Sequence, residues 1–149
     1  MREQGVSYWR ALADEEAKRG ERMIATRAGC SWLTPFAPTG GREVMAVLPE
    51  VQRIAALDAQ QIEVLARGLS NVLAWYEREA LSAFNFTIYQ APRDADGSAH
   101  AVVLRVMART AFKQDYRADD YFLQKQLGSE LIFIPPEEMA AALKADFEW

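Results

Sequence analysis

The stretch from residue 22 to residue 48 restricts the fold most, because its short β-forming runs are separated by turns that allow only direct reversal. Residues 22–26 and 31–35 flank Ala28-Gly29. Pro35, Pro38, Gly40 and Gly41 then make a loop before an alternating apolar run at 43–48, which Pro49 closes. Antiparallel strands accept such connections, whereas parallel strands need a crossover of about a dozen residues. The pattern recurs downstream. Residues 84–90 are rich in β-formers, Asp94-Ala95-Asp96-Gly97 is a hairpin-like turn, and 99–107 returns as the partner strand. An antiparallel sheet is expected.

Helices supply its cover. Asp58 caps a run in which Ile62, Leu65, Leu69, Val72, Leu73 and Tyr76 recur at three- and four-residue steps, predicting about five turns with one apolar face. Residues 7–19 read as a first helix with Ser7 as N-cap and Gly20 as the stop. A further helix is expected at 119–127, ending at Gly128, and a short apolar strand at 131–134. Pro135-Pro136-Glu137-Glu138 opens a last helix, with proline in the first turn and acids at the positive end. The order α-β-β-β-α-β-β-α-β-α describes an α+β domain, and 149 residues without repeat or linker predict a single domain over 1–149.

Composition excludes several classes. A net charge of -4 with singly scattered arginines gives a polyanionic nucleic acid nothing to bind. No long apolar span and no leader-like N-terminus is present, so no membrane is expected and the cytoplasm is the default compartment. Cys30 and His100 are the only residues of their types, so an internal disulfide is excluded and a thiolate zinc site is not expected. Neither a metal nor any other cofactor is expected. Cys30 reads as a small buried hydrophobe.

Gly-x-Ser-x-Gly and the phosphate loop Gly-x-x-x-x-Gly-Lys-Ser/Thr are both missing. Thr39-Gly40-Gly41-Arg42 has amides for an anion but reads first as a plain turn. The acid pairs Asp119-Asp120 and Glu137-Glu138 fit helix starts. His100 is a candidate nucleophile, base or phosphate donor on a strand whose same face would carry Val102 and Leu104. Two apolar neighbours orient and activate nothing. With the hairpin paired, Asn85, Gln90, His100, Arg105 and Arg109 form a polar cluster able to hold a phosphate-bearing ligand.

With these residues placed, the chain resembles the C-terminal half of galactose-1-phosphate uridylyltransferases of the histidine-triad superfamily. The likeness runs through 16–22 ending in Gly20-Glu21-Arg22, Trp32-Leu33-Thr34-Pro35-Phe36-Ala37 with Glu43-Val44-Met45, and Leu48-Pro49. It continues through the helix from Asp58, Phe84-Asn85-Phe86, Gln90-Ala91-Pro92, Gly128-Ser129-Glu130 and Pro135-Pro136-Glu137-Glu138. The resemblance implies a HIT-like antiparallel sheet with helices packed on it. It also implies uridylyl transfer through a covalent histidine of a His-Pro-His segment, which this chain lacks. Of a His-x-His pair on the strand of His100, only His100 matches and Val102 replaces the other. Where some relatives carry Cys-x-x-Cys for a metal, Ser7 and Arg10 stand here. Of Gly-Tyr-Glu contacting the hexose, Glu130 remains and Ser129 replaces the tyrosine.

The expected function is therefore that of a non-catalytic HIT-like domain that binds a nucleotide or sugar phosphate, or serves as an assembly module. The enzymatic alternative is a nucleotidyltransferase or nucleotide hydrolase using His100. Exposed strand edges favour a homodimer with a continuous sheet. Trp32, Trp75, Phe36, Phe147 and Trp149 are its candidate interface aromatics, with core packing the commoner fate.

Overall fold

The computed structural model describes residues 7–94, 99–109, 132 and 134–149. Helix α1 (Tyr8–Arg19) starts where the Ser7 side chain accepts from the Arg10 amide, and stops at Gly20, whose φ of 72° is left-handed. Strands β1 (Met23–Arg27) and β2 (Cys30–Leu33) turn over Ala28 and Gly29, both at positive φ. After β3 (Val44–Leu48), a capping box at Asp58 and Gln61 opens α2 (Ala59–Arg78). Strands β4 (Phe84–Tyr89) and β5 (Val102–Ala108) and helix α3 (Pro136–Ala145) complete the described elements. The helix and strand expected at 119–127 and 131–134 lie outside the described residues, apart from Ile132 and Ile134.

All pairs are antiparallel and the order is β1-β2-β3-β5-β4, with β5 inserted between β3 and β4. Two-residue alternation sorts the side chains between two cores. Cys30, Trp32, Val44, Ala46, Leu48, Val102, Leu104 and Val106 face α2 and α3. Leu33, Met45, Val47 and Val103 face the other way, under Trp9 and Leu12 of α1. The central strand β3 is buried at all five positions.

Five of the six residues of the expected α2 face meet the core, Val72 and Tyr76 buried and Leu65, Leu69 and Leu73 partly buried against it. Ile62 is 54% exposed, and the buried line runs through Val64, Gly68, Val72, Trp75 and Tyr76. Gly68 makes the tightest contact. A Cβ there would stand 2.2 Å from Cε2 of the fully buried Trp32, so the helix presents its one missing side chain to the indole. The candidate interface aromatics divide accordingly. Trp32 and Trp75 are core, Phe147 packs on Trp32 and Trp149, and Phe36 is exposed beneath the Arg22 guanidinium.

Candidate functional site

The β4–β5 ribbon carries most of the residues singled out in the sequence. Its six-pair ladder runs from Phe84 opposite Ala108 to Tyr89 opposite Val103. Phe84, Phe86 and Ile88 share the α2 side with Val106 and Leu104. Asn85, Thr87 and Tyr89 share the other side with Arg105 and Met107.

β5 starts at Val102, so His100 precedes the strand instead of lying within it. It is half-buried, and its Nδ1 has no hydrogen-bond partner among the described residues. Val102 and Leu104, fully or nearly fully buried, point into the core beneath α2. Apolar side chains there satisfy packing, and neither position opens onto a site.

The polar residues are spread along the ribbon. Gln90 lies at the His100 end, where its Oε1 accepts from the Ile54 amide at 3.0 Å. The same end is tied down by Ala91 N–H to Gln52 O at 2.8 Å and by Val102 N–H to Val51 O at 2.6 Å. Arg109 lies at the opposite end, its amide donating to Ala83 O. Nine strand residues span roughly 30 Å at about 3.3 Å each, so His100 and Arg109 cannot touch one small ligand. Asn85 and Arg105 lie between them on the side away from α2, Asn85 opposite Met107 and Arg105 opposite Thr87. Glu130 lies outside the described residues.

Arg105 is paired with a residue outside the polar cluster. Its Nε donates to Oε1 of Glu43, whose side chain is fully buried. The second oxygen, Oε2, accepts from the Thr39 amide at 2.6 Å and the Thr39 hydroxyl at 3.1 Å. The turn at Thr39-Gly40-Gly41-Arg42 does hold an anion, and the anion is this chain's own carboxylate. Gly40 lets the turn close, since a Cβ there would meet Met107 Sδ at 2.6 Å. Tyr76 buttresses it from the other core, its hydroxyl donating to Arg42 O at 2.5 Å. Burial pushes the Tyr76 phenol well above its usual range. The available sequence signal was a lone acid heading the apolar alternation of β3.

A second ionic cluster joins α1, β1 and α3. Arg22 donates through Nε and Nη2 to Glu16 Oε1 at 3.0 and 2.8 Å, and through Nη1 to Glu137 Oε1 at 2.8 Å. Arg22 and Glu16 are both buried. Hydrogen bonding to Glu137 and Glu16 raises the Arg22 pKa, and the same guanidinium holds the Glu137 carboxyl below its usual value. Cys30 is completely buried, and desolvation pushes its thiol up to about 12. Among the described residues, no three His, Cys, Asp or Glu side chains gather as metal ligands, and no helix is long and apolar enough to cross a membrane.

No family model matches the sequence. An uncharacterised protein of Archaeoglobus fulgidus is 31% identical over 140 residues, covering 94% of this chain and 41% of that protein. This chain thus spans less than half of the relative's length. Among solved structures, a uridylyltransferase mutant aligns with a TM-score of 0.77 and 16% identity, over 97% of this chain and 48% of its own. An ADP-glucose phosphorylase from Arabidopsis thaliana, with bound ADP-glucose, gives 0.65 at 14% identity over 91% and 47%. A zinc-bound histidine triad family protein from Mycobacterium smegmatis gives 0.56 at 12% over 92% and 91%. The antiparallel sheet crossed by α2 is thus the fold of the uridylyltransferases and histidine-triad proteins, and this chain has that HIT-like fold.

Proposed function

We propose that this chain is a cytoplasmic, homodimeric domain of HIT-like fold that binds a nucleotide or sugar phosphate without turning it over. One observation carries the proposal. At the strand positions where a histidine pair would do chemistry, Val102 and Leu104 are sealed in the core, and His100 has no second histidine to work with. Similarity to an ADP-glucose phosphorylase holding ADP-glucose supports the ligand class. Asn85 and Arg105 provide an amide and a cation side by side for the anionic part, with Arg109 beyond the end of β5. Gln90 and His100, at the far end of the ribbon, are too distant from Arg109 to share one small ligand with it and stand as a separate contact region, and Glu130 is the hexose contact that the resemblance implies. Glu43 acts by positioning Arg105, because a guanidinium held at Nε by a buried carboxylate has its orientation fixed before a ligand arrives.

The test is thermal shift with UDP-glucose, ADP-glucose, the free nucleotides and hexose 1-phosphates. A ligand at about 100 times its Kd stabilises the folded state by ~2.7 kcal/mol, and Arg105→Gln should remove that shift. If none of these compounds raises the Tm at millimolar concentration, the ligand part fails and an assembly role alone is left. The unpartnered Nδ1 of His100 favours one other reading, a nucleotide hydrolase that works through this ring alone. Turnover of a nucleotide that His100→Ala abolishes would establish it and refute the silent reading.

A further inference from the structure

Helix α3 is over at Ala145, and each of residues 146–149 is then held by a different neighbour. Asp146 Oδ2 accepts from Arg78 Nη2 at 2.9 Å. The Phe147 ring packs 5.9 Å from Trp32 and meets Trp149 edge-on at 5.3 Å. Trp149 lies under the Arg27 guanidinium, 5.7 Å from its ring centroid. Glu148 is exposed and is held by its backbone. Asn71 Nδ2 donates to Glu148 O at 2.7 Å, and Asn71 Oδ1 accepts from the Glu148 amide at 3.5 Å.

A side-chain amide that donates to and accepts from one residue does the work of a neighbouring strand edge. It reads the backbone and is indifferent to the side chain at that position. Docked extended peptides divide the task in this way, with main-chain bonds for affinity and alternate side chains for specificity. The cradle is built for that division. Gly68 and Asn71 stand three apart on α2 and therefore on one side of it. The missing Cβ of Gly68 lets the Trp32 indole lie against the helix, and Phe147 packs on that indole. Arg78 and Arg27 put a cation at each end.

We infer that this cleft between α2 and the β1–β2 hairpin recognises an extended peptide of the pattern acid, aromatic, any residue, aromatic. Residues 146–149 are its resident occupant, exchangeable for the same pattern on another protein. The inference goes beyond the function proposed above and does not depend on it. Trp32 faces α2, whereas Arg105 lies on the opposite side of the sheet. Exchange is permitted because the segment and its helix are fastened separately. Met139, Ala140 and Leu143 are buried, and Glu137 and Pro136 are tied to Arg22 and Thr34, so α3 stays when the segment leaves. The ion pair to be broken joins side chains that are both about half exposed.

Fluorescence anisotropy with a labelled Lys-Ala-Asp-Phe-Glu-Trp peptide, the sequence of residues 144–149, tests the cleft. In the full chain, Phe147→Ala with Trp149→Ala empties it. That variant should bind the peptide at least about 10-fold more tightly than the native chain, whose own segment competes at roughly millimolar effective concentration. Adding Asn71→Ala should weaken binding about 10-fold, and a peptide with alanine for both aromatics should not bind. No binding to the emptied chain, or binding indifferent to Asn71→Ala, overturns the inference. If circular dichroism shows the emptied chain unfolded, hydrogen exchange on the native chain decides. The Glu148 amide should exchange at least about 100-fold faster than that of Leu143, by an opening that leaves α3 folded. Exchange of the two at one common rate means the segment does not leave separately, and the inference fails.

Discussion

β1 and β4 are the two terminal strands of one sheet, five and six residues long, and they are finished in opposite ways. β1 carries a bulge between Met23 and Ala25 and ends on a cation, Arg27, stacked over Trp149. Helix α1 packs over Met23 on one face, and α2 and α3 over Ile24 on the other. The Arg22 cluster and the Thr34 hydroxyl, which donates to Pro136 O at 2.8 Å, fasten α3 in place. Among the described residues, β4 has none of this. A bulge, a terminal charge and packed helices keep a strand edge from taking another strand, whereas a regular run of Phe, Asn, Thr, Ile and Tyr carries none of those devices.

The difference is largest in the ionic cluster. Replacing Arg22 by alanine strands the Glu16 carboxylate, 3% exposed, without a counter-ion. Removing one partner of a buried pair costs about 3–5 kcal/mol. Urea unfolding of Arg22→Ala should show a loss of that order, and a loss below ~1 kcal/mol would mean that β1 is not held by this cluster. The paired truncations come next. Ile24→Ala empties core volume and should cost about 2–5 kcal/mol. Ile88→Ala should cost about 1 kcal/mol or less, because its side chain is partly exposed already. Equal costs at the two positions would erase the distinction between the edges.

Local chemistry made most of the fold legible. Ser7, Gly20, Asp58 and the proline pair at 135–136 mark helix ends by satisfying or ending backbone hydrogen bonding, and each stands at a helix boundary. Short turns and two-residue alternation identified the antiparallel strands. The tightest contact of α2 is not visible in its apolar spacing, because it belongs to Gly68, which has no side chain to mark it. The strand start was hidden for a related reason. Val102 N–H bonds to Val51 O, a neighbour far away in sequence, and this places His100 ahead of β5. Asn85, Gln90, His100, Arg105 and Arg109 are near in sequence pairing but spread along a ribbon, because strands extend what helices would gather. Glu43 could be noticed only as a charge in an apolar run. Its partners, Thr39 and Arg105, are brought to it by a turn and by the β3–β5 pairing.

pH separates the two edges by the smallest margin. The hydrogen bond from Arg22 holds the Glu137 carboxyl below its usual value, so this group binds its proton less readily in the folded than in the unfolded chain. Its contribution is complete above the unfolded pKa, near 4.3, and fades as pH falls through the lower folded value. Glu137 is 42% exposed, which keeps the effect at ~0.2–1 kcal/mol. The difference in unfolding free energy between the native chain and Glu137→Gln should therefore be resolvable at pH 6 and should vanish near pH 3. The exposed Glu15–Arg19 pair responds to acid in both proteins and cancels from the difference. Strand β4 holds no carboxylate, so its pairing with β5 should not change over this range while α3 loosens from β1. A Glu137→Gln difference that persists at pH 3 would show that packing, not the ion pair, joins α3 to β1.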